Sequence, residues 1–295
     1  MSNPVDLKSA APGMFDMEAA PMRIGHVQLR VRNLVLVAAF YRNVIGLTPI
    51  EERPNRVSLG IGGAVLLDLV ADPHAVPDDR RAAGLFHTAF LLPDRADLGR
   101  WLKFAANEGI ELQGAADHRV SEAVYLADPE GNGIEIYSDR PVEEWPVVGG
   151  RFDMGNERLD TPGLIDAGSG AEWAGMPVGS RIGHMHLQVG DLSVAEPFYG
   201  DVLGFDVTCR YRGATFLGAG GYHHQVAANI WNSSGAGPRS AAMSGLAGIE
   251  IVVLDATVRA AIEDRARQAG YPLERSAGGT VLRDPWGIAL TLVDG

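Results

Sequence analysis

Cysteine is almost absent. Cys209 is the single one among 295 residues, so no internal disulfide can form, and a reducing compartment, the cytoplasm, is the expected home. Long apolar runs are missing too: none reaches the roughly 18 residues that a membrane-crossing helix needs. Positive charge is scarce, with 25 Lys and Arg against 37 Asp and Glu and a net charge of −12. That balance argues against binding nucleic-acid phosphates or an anionic membrane surface, both of which need clustered cations. The first 22 residues lack an apolar stretch of signal-peptide type and read as a tail, flexible or an interface arm. There is no CxxC pair and no convincing Ser-His-Asp arrangement. Gly218-Ala-Gly220-Gly221 lacks the spacing and following helix of a nucleotide loop and reads as a hairpin turn.

What is present is a repeat. Ile24-Gly-His26-Val-Gln-Leu-Arg-Val31 returns as Ile182-Gly-His184-Met-His186-Leu-Gln-Val189, an offset of 158 (184 − 26), and the match continues through Phe40-Tyr41/Phe198-Tyr199 and Gly46/Gly204. A fixed-period self-similarity has to be read before anything else. Each copy predicts a strand, a helix and further strands, with Asn33 or Asp191 as N-cap and Gly46 as the stop of the first helix. A weaker version follows each copy. Leu85-Phe-His87-Thr-Ala-Phe opens one, and Asp128-Pro129-Glu-Gly131 is echoed by Asp284-Pro285-Trp-Gly287. The prediction is an α+β chain of four βαβββ modules, about 23–72, 84–138, 181–232 and 245–294. It divides into a tail (1–22), a first module pair (23–138), a linker (139–180) and a second module pair (181–295). A hydrophobic share of 46% suffices for one or two full cores.

The densest chemistry lies on His118-Arg-Val-Ser-Glu-Ala-Val-Tyr125-Leu-Ala-Asp128-Pro-Glu-Gly131-Asn-Gly-Ile-Glu135. Pro and Gly make the middle a turn between two strands. On the returning strand Ile134 and Ile136 share one face and Glu135 takes the other. With both faces covered Glu135 is buried, and a buried carboxylate needs a partner such as a metal; the bland alternative is a solvated sheet edge.

Four such modules with His on opening strands and Glu on a closing strand resemble the vicinal-oxygen-chelate (glyoxalase/bleomycin resistance/dioxygenase) superfamily, whose modules form two half-barrel domains. His118…Tyr125-x-x-Asp-Pro-x-Gly-x-x-x-Glu135 closely resembles the hairpin signature of type I extradiol ring-cleavage dioxygenases, with Ala116 a minor departure. That resemblance implies an Fe(II)-dependent, catechol 2,3-dioxygenase-type oxidoreductase of aromatic catabolism. It would take a small aromatic diol and O2 and give a muconic semialdehyde. It further implies His87, His184 and Glu135 as a facial triad, with three metal positions left open for substrate. His224, in Tyr222-His223-His224-Gln-Val-Ala, corresponds to the acid/base His, and His118 and Tyr125 to residues that touch substrate oxygens.

The modules that carry these residues are the second and third; the fourth has Gly248, Ile249, Ala289 and Thr291 at the corresponding positions. If the first module paired with the second instead, His26 would be the alternative ligand. Asp68 would then stand near the metal, which resembles glyoxalase-type isomerases with Zn or Ni. In the pairing of second with third, the counterpart of Asp68 is read as Asn229. A non-enzymatic sequestering protein of the bleomycin-resistance type would need neither His224 nor an intact triad. His186 reads as a neighbour of the site, and His223 and His74 as structural. Homo-oligomer formation is left open.

Overall fold

The computed structural model describes residues 13–276 and 278–295. The first module contains β1 (Met22–Val31), α1 (Leu34–Phe40), β2 (Thr48–Arg53), β3 (Arg56–Ile61) and β4 (Ala64–Ala71). The second contains β5 (Gly84–Leu91), α2 (Arg95–Asn107), β6 (Gly114–Asp117), β7 (Ser121–Ala127) and β8 (Gly133–Asp139). A connecting segment adds a small hairpin, β9 (Val147–Val148) and β10 (Arg151–Phe152), and α3 (Thr161–Ala167). The third module runs β11 (Arg181–Gln188), α4 (Leu192–Glu196), β12 (Asp206–Tyr211), β13 (Ala214–Gly218) and β14 (Val226–Asn229). The fourth runs β15 (Gly245–Val253), α5 (Ala256–Gln268), β16 (Glu274–Ser276), β17 (Gly279–Arg283) and β18 (Ala289–Asp294).

The local signals act as their chemistry requires. Asn33 Oδ1 accepts the Leu36 amide at 3.1 Å and caps α1; Asp191 does the same for the Ser193 amide at 2.8 Å. Gly46 ends the first helical stretch with φ +84°, a left-handed conformation that only glycine takes without cost. One detail departs from the pattern: after α1 the chain widens into a π-turn over Tyr41–Ile45.

Two eight-stranded sheets result, in the orders β16-β17-β18-β15-β1-β4-β3-β2 and β12-β13-β14-β11-β5-β8-β7-β6. The hydrogen-bonded partners are therefore not consecutive modules. The first pairs with the fourth through β1 and β15, and the second with the third through β5 and β11. Consecutive modules meet through side chains instead. Tyr41 reaches Asp128 at 3.4 Å, Trp101 Nε1 donates to the Val44 carbonyl at 2.9 Å, and Tyr199 donates to Asp284 at 2.9 Å. The apolar face of each sheet turns to a shared core that includes Leu29, Leu67, Phe90, Val124, Ile136 and Leu187. A second apolar cluster, with Ala89, Ala123, Tyr137, Trp145 and Tyr222, lies on the opposite face of the second sheet.

Two expectations about connecting chain need correction. Residues 139–180 are not a bare linker: α3 buries Leu164 completely and packs on α2. The fit there is so close that a Cβ on Gly99 would lie 2.1 Å from the Leu164 carbonyl. The part of the tail within the described residues, expected to be flexible or an interface arm, packs on the protein itself. Met17 is buried, and Phe15 lies against Tyr222 with ring centres 4.9 Å apart; residues 1–12 lie outside the described range. Among the described residues no helix is long and apolar enough to cross a membrane.

Candidate metal centre

Three neighbouring strands of the second sheet bring three donors to one point. In the register, His184 on β11 faces Ala89 on β5, and Ala89 faces Glu135 on β8. His87 lies two residues before Ala89 and so shares its face. Its Nε2 is 2.9 Å from Glu135 Oε2, and His184 Nε2 is 3.2 Å from the same oxygen. All three residues are buried. Ala89 sits in the middle of the row with only a methyl group, which keeps the space between the donors free.

This cluster is not satisfied by protein hydrogen bonds alone. His87 Nε2 is buried without a properly directed partner, as is His184 Nδ1. Unpaired buried nitrogens are costly, and two imidazoles with one carboxylate are a donor set that suits a divalent transition metal. Burial lowers the His184 pKa. For Glu135 burial by itself raises the pKa, but the adjoining His184 and His87 imidazoles pull it well below the usual carboxylate range. Neutral imidazole and ionised carboxylate are the states in which these groups ligate. The residues present therefore fit a metal ion.

The other expected residues gather around the same point. Tyr125 stands directly opposite Glu135 across the β7–β8 ladder and donates its hydroxyl to His118 Nε2. His118 Nδ1 donates to the Gly155 carbonyl at 2.8 Å, so a residue of the connecting segment fixes the ring. The backbone beside it is strained: Arg119 holds φ +68°, tied down by ion pairs to Asp153 and Glu157. His224 lies in the loop before β14, its ring centre 4.1 Å from that of His184, and burial pushes its pKa well down. His186, also buried, with Nε2 unpaired, borders the site next to Phe86 and Trp231. His118, Tyr125, His186 and His224 line, with the three donors, a cavity of about 440 Å³ whose remaining wall includes Phe86, Met154, Phe216 and Trp231.

Two sequence-derived candidates are not in this group. His26 lies on β1 of the other sheet, where its Nδ1 is 3.2 Å from Glu250 and both side chains are about a quarter exposed. It is no alternative ligand because β5 bonds to β11 and not to β1. Asp68 is buried there too, held by Arg56, Ser58 and Gln28. The register corrects its proposed counterpart. Asp68 faces Gln28 as Ala227 faces His186, so the matching position in the second sheet is Ala227 rather than Asn229. Sequence reasoning missed Ala89 and took His223 as merely structural. It also passed over Asp139, although Glu135, Tyr137 and Asp139 alternate onto one face of β8.

Comparison with known proteins gives a consistent result. The family model described as Glyoxalase/Bleomycin resistance protein/Dioxygenase superfamily matches residues 23–136 and 181–292. A catechol-2,3-dioxygenase of Bacillus subtilis (strain 168) is 39% identical over 267 residues, 89% of this chain and 93% of the relative. A biphenyl-2,3-diol 1,2-dioxygenase 3 of Rhodococcus globerulus is 30% identical over 130 residues, 40% of this chain and 63% of the relative. Among solved structures, glyoxalase I from Zea mays superposes with a TM-score of 0.57 at 17% identity, covering 94% of each chain; this is a likeness of fold.

Proposed function

The chain belongs to the glyoxalase/bleomycin resistance protein/dioxygenase superfamily, and from that premise we propose that it is an extradiol dioxygenase that opens a catechol-like ring beside its two hydroxyls to a muconic semialdehyde. The observation that carries the reading is the convergence of His87, His184 and Glu135 on one buried point, with His224 on one side and the His118–Tyr125 pair on the other. The similarity to two dioxygenases supports it.

His87, His184 and Glu135 would hold Fe(II). Bound there, the ion would supply adjacent positions for both diol oxygens and O2 and let electrons pass between them. Both atoms of O2 enter the product, so no separate reductant is required. The rest is work for the chain's own residues. The apolar wall of Phe86, Phe216, Met154 and Trp231 takes the face of the ring and excludes water. Tyr125, already hydrogen-bonded to His118, is positioned to contact a substrate oxygen and pass a proton toward His118 Nε2. His224, kept neutral by its burial, can take a proton on the opposite side and return it. An isomerase of glyoxalase type would want a second carboxylate, and the position that corresponds to Asp68 holds Ala227.

The test is His224→Ala loaded anaerobically with Fe(II). It should bind iron like the wild type yet lose about 100-fold or more of catechol turnover, the scale of one positioned proton-transfer group. Wild-type turnover in this variant would overturn the assignment of His224.

A further inference from the structure

Behind His224 runs a chain of buried hydrogen bonds that no part of the proposed reaction has yet used. His224 Nδ1 lies 2.7 Å from His223 Nδ1. His223 Nε2 lies 2.8 Å from Asp139 Oδ1. Asp139 Oδ2 accepts the Tyr222 hydroxyl at 2.9 Å, and Tyr222 accepts from Tyr137 at 2.8 Å. His223, Tyr137 and Tyr222 are completely buried. Trp145 covers the His223 ring with centres 4.9 Å apart, and Phe15 covers Tyr222.

The polarity of this chain follows from donor and acceptor rules. A carboxylate only accepts, so His223 Nε2 must carry the proton it shares with Asp139. In the neutral ring Nδ1 of His223 is then a lone pair. The short contact between the two Nδ1 atoms is a hydrogen bond only if one donates, so the proton is on His224 Nδ1. In neutral His224 the remaining nitrogen, Nε2, is thereby a free base. We propose that Asp139 and His223 are positioning residues that set the tautomer and ring orientation of His224, so that it offers an unprotonated Nε2 to a cavity-bound diol. The proposal rests on the acid/base reading of His224. The logic is that of a carboxylate orienting an imidazole through its far nitrogen, extended here by one more imidazole. Tyr222 and Tyr137 lock the carboxylate so that Oδ1 stays aimed at His223.

The experiment begins with the metal-free wild-type protein and ¹⁵N-labelled histidine. Long-range proton–nitrogen correlation spectra report which ring nitrogen is protonated. His223 is expected as the Nε2–H form and His224 as the Nδ1–H form; the reverse in either ring overturns the proposal, whether or not the protein turns over catechol. The variant Asp139→Asn can turn its amide N–H toward His223 Nε2 and so reverse each proton in the chain. It should retain iron and KM within about threefold while kcat falls by about 10²- to 10⁴-fold, the range seen when an orienting carboxylate is replaced by its amide. Tyr222→Phe keeps the carboxylate and the polarity, and should lose less than about tenfold. A folded, iron-loaded Asp139→Asn with wild-type kcat overturns the proposal. If neither wild type nor variant consumes O2 with a catechol, the dioxygenase reading fails, and the tautomer measurement still decides the relay.

Discussion

Removal of the Glu135 carboxylate tests the metal centre without reference to turnover. A ligand that binds only the folded protein stabilises it by RT ln(1 + [L]/Kd), about 4.1 kcal/mol at a thousandfold excess over Kd. Unfolding entropy scales at about 2.1 cal/mol/K per residue near 60 °C, so this chain of 295 residues has a melting entropy of about 0.6 kcal/mol/K. Fe(II) at that excess should therefore raise the wild-type melting temperature by about 7 °C. Glu135 Oε2 is the atom within 2.9 and 3.2 Å of the two imidazole nitrogens, so Glu135→Ala deletes the hub of the cluster. Loss of an outer partner alone costs 10- to 100-fold in metal affinity; loss of the hub should cost at least about 100-fold. The same Fe(II) concentration is then at most about tenfold above Kd and worth about 1.4 kcal/mol, a shift of about 2 °C. Differential scanning fluorimetry under argon reads both values. An equal shift in wild type and Glu135→Ala would falsify the ligand assignment.

Two further outcomes follow from the same geometry. Ala89→Leu should fill the space between His184 and Glu135. Overpacking of this kind costs about 1–3 kcal/mol, and the Fe(II)-induced shift should vanish while the metal-free protein still unfolds cooperatively; a retained shift would show that the ion does not sit over Ala89. Asp284, buried in its turn beneath Tyr199, has its pKa pushed up by burial from 3.8 to about 6. A raised folded-state pKa means that the fold favours the protonated acid. Its contribution is fully present below 3.8 and is lost as pH rises through about 6. The difference of about two units is worth about 3 kcal/mol. In urea titrations Asp284→Asn should thus gain on the wild type by about 2 kcal/mol between pH 4 and pH 7, and parallel pH curves would contradict it.

Much of this molecule is legible in its sequence because the signals are local. Asn33, Asp191 and Gly46 act on backbone groups a few residues away, and the alternation of Ile134, Glu135 and Ile136 decides which face each takes. Glu135 stands out because a buried carboxylate on an otherwise apolar strand is expensive without a partner, whereas His87 and His184 are singled out by the family resemblance. The pairing of first with fourth and second with third modules is favoured in the sequence only by the way His and Glu are divided between the second and third modules, and the sheet order bears it out. Strand pairing is made by backbone groups that every residue carries, so the side chains of β5 leave β1 and β11 both open as neighbours. The register error over Asp68 has the same origin, since two residues along β14 are a single pleat repeat. The bond between Asp139 and His223 joins positions 84 apart and exists only because β8 and the loop before β14 reach the same side of one sheet. Phe15 and Leu164 lie in segments whose composition reads as loop. They are ordered by the apolar surfaces they find, a tertiary effect that no local pattern encodes.

The account stands most directly on oxygen consumption. Protein loaded anaerobically with Fe(II) is given a limiting amount of catechol in an oxygen electrode, and catalase is added at the end. The account predicts uptake of one O2 per catechol, a yellow ring-opened product, and no oxygen returned by catalase. Iron-loaded protein that takes up no O2 with catechol, or whose uptake catalase gives back as from hydrogen peroxide, would contradict it.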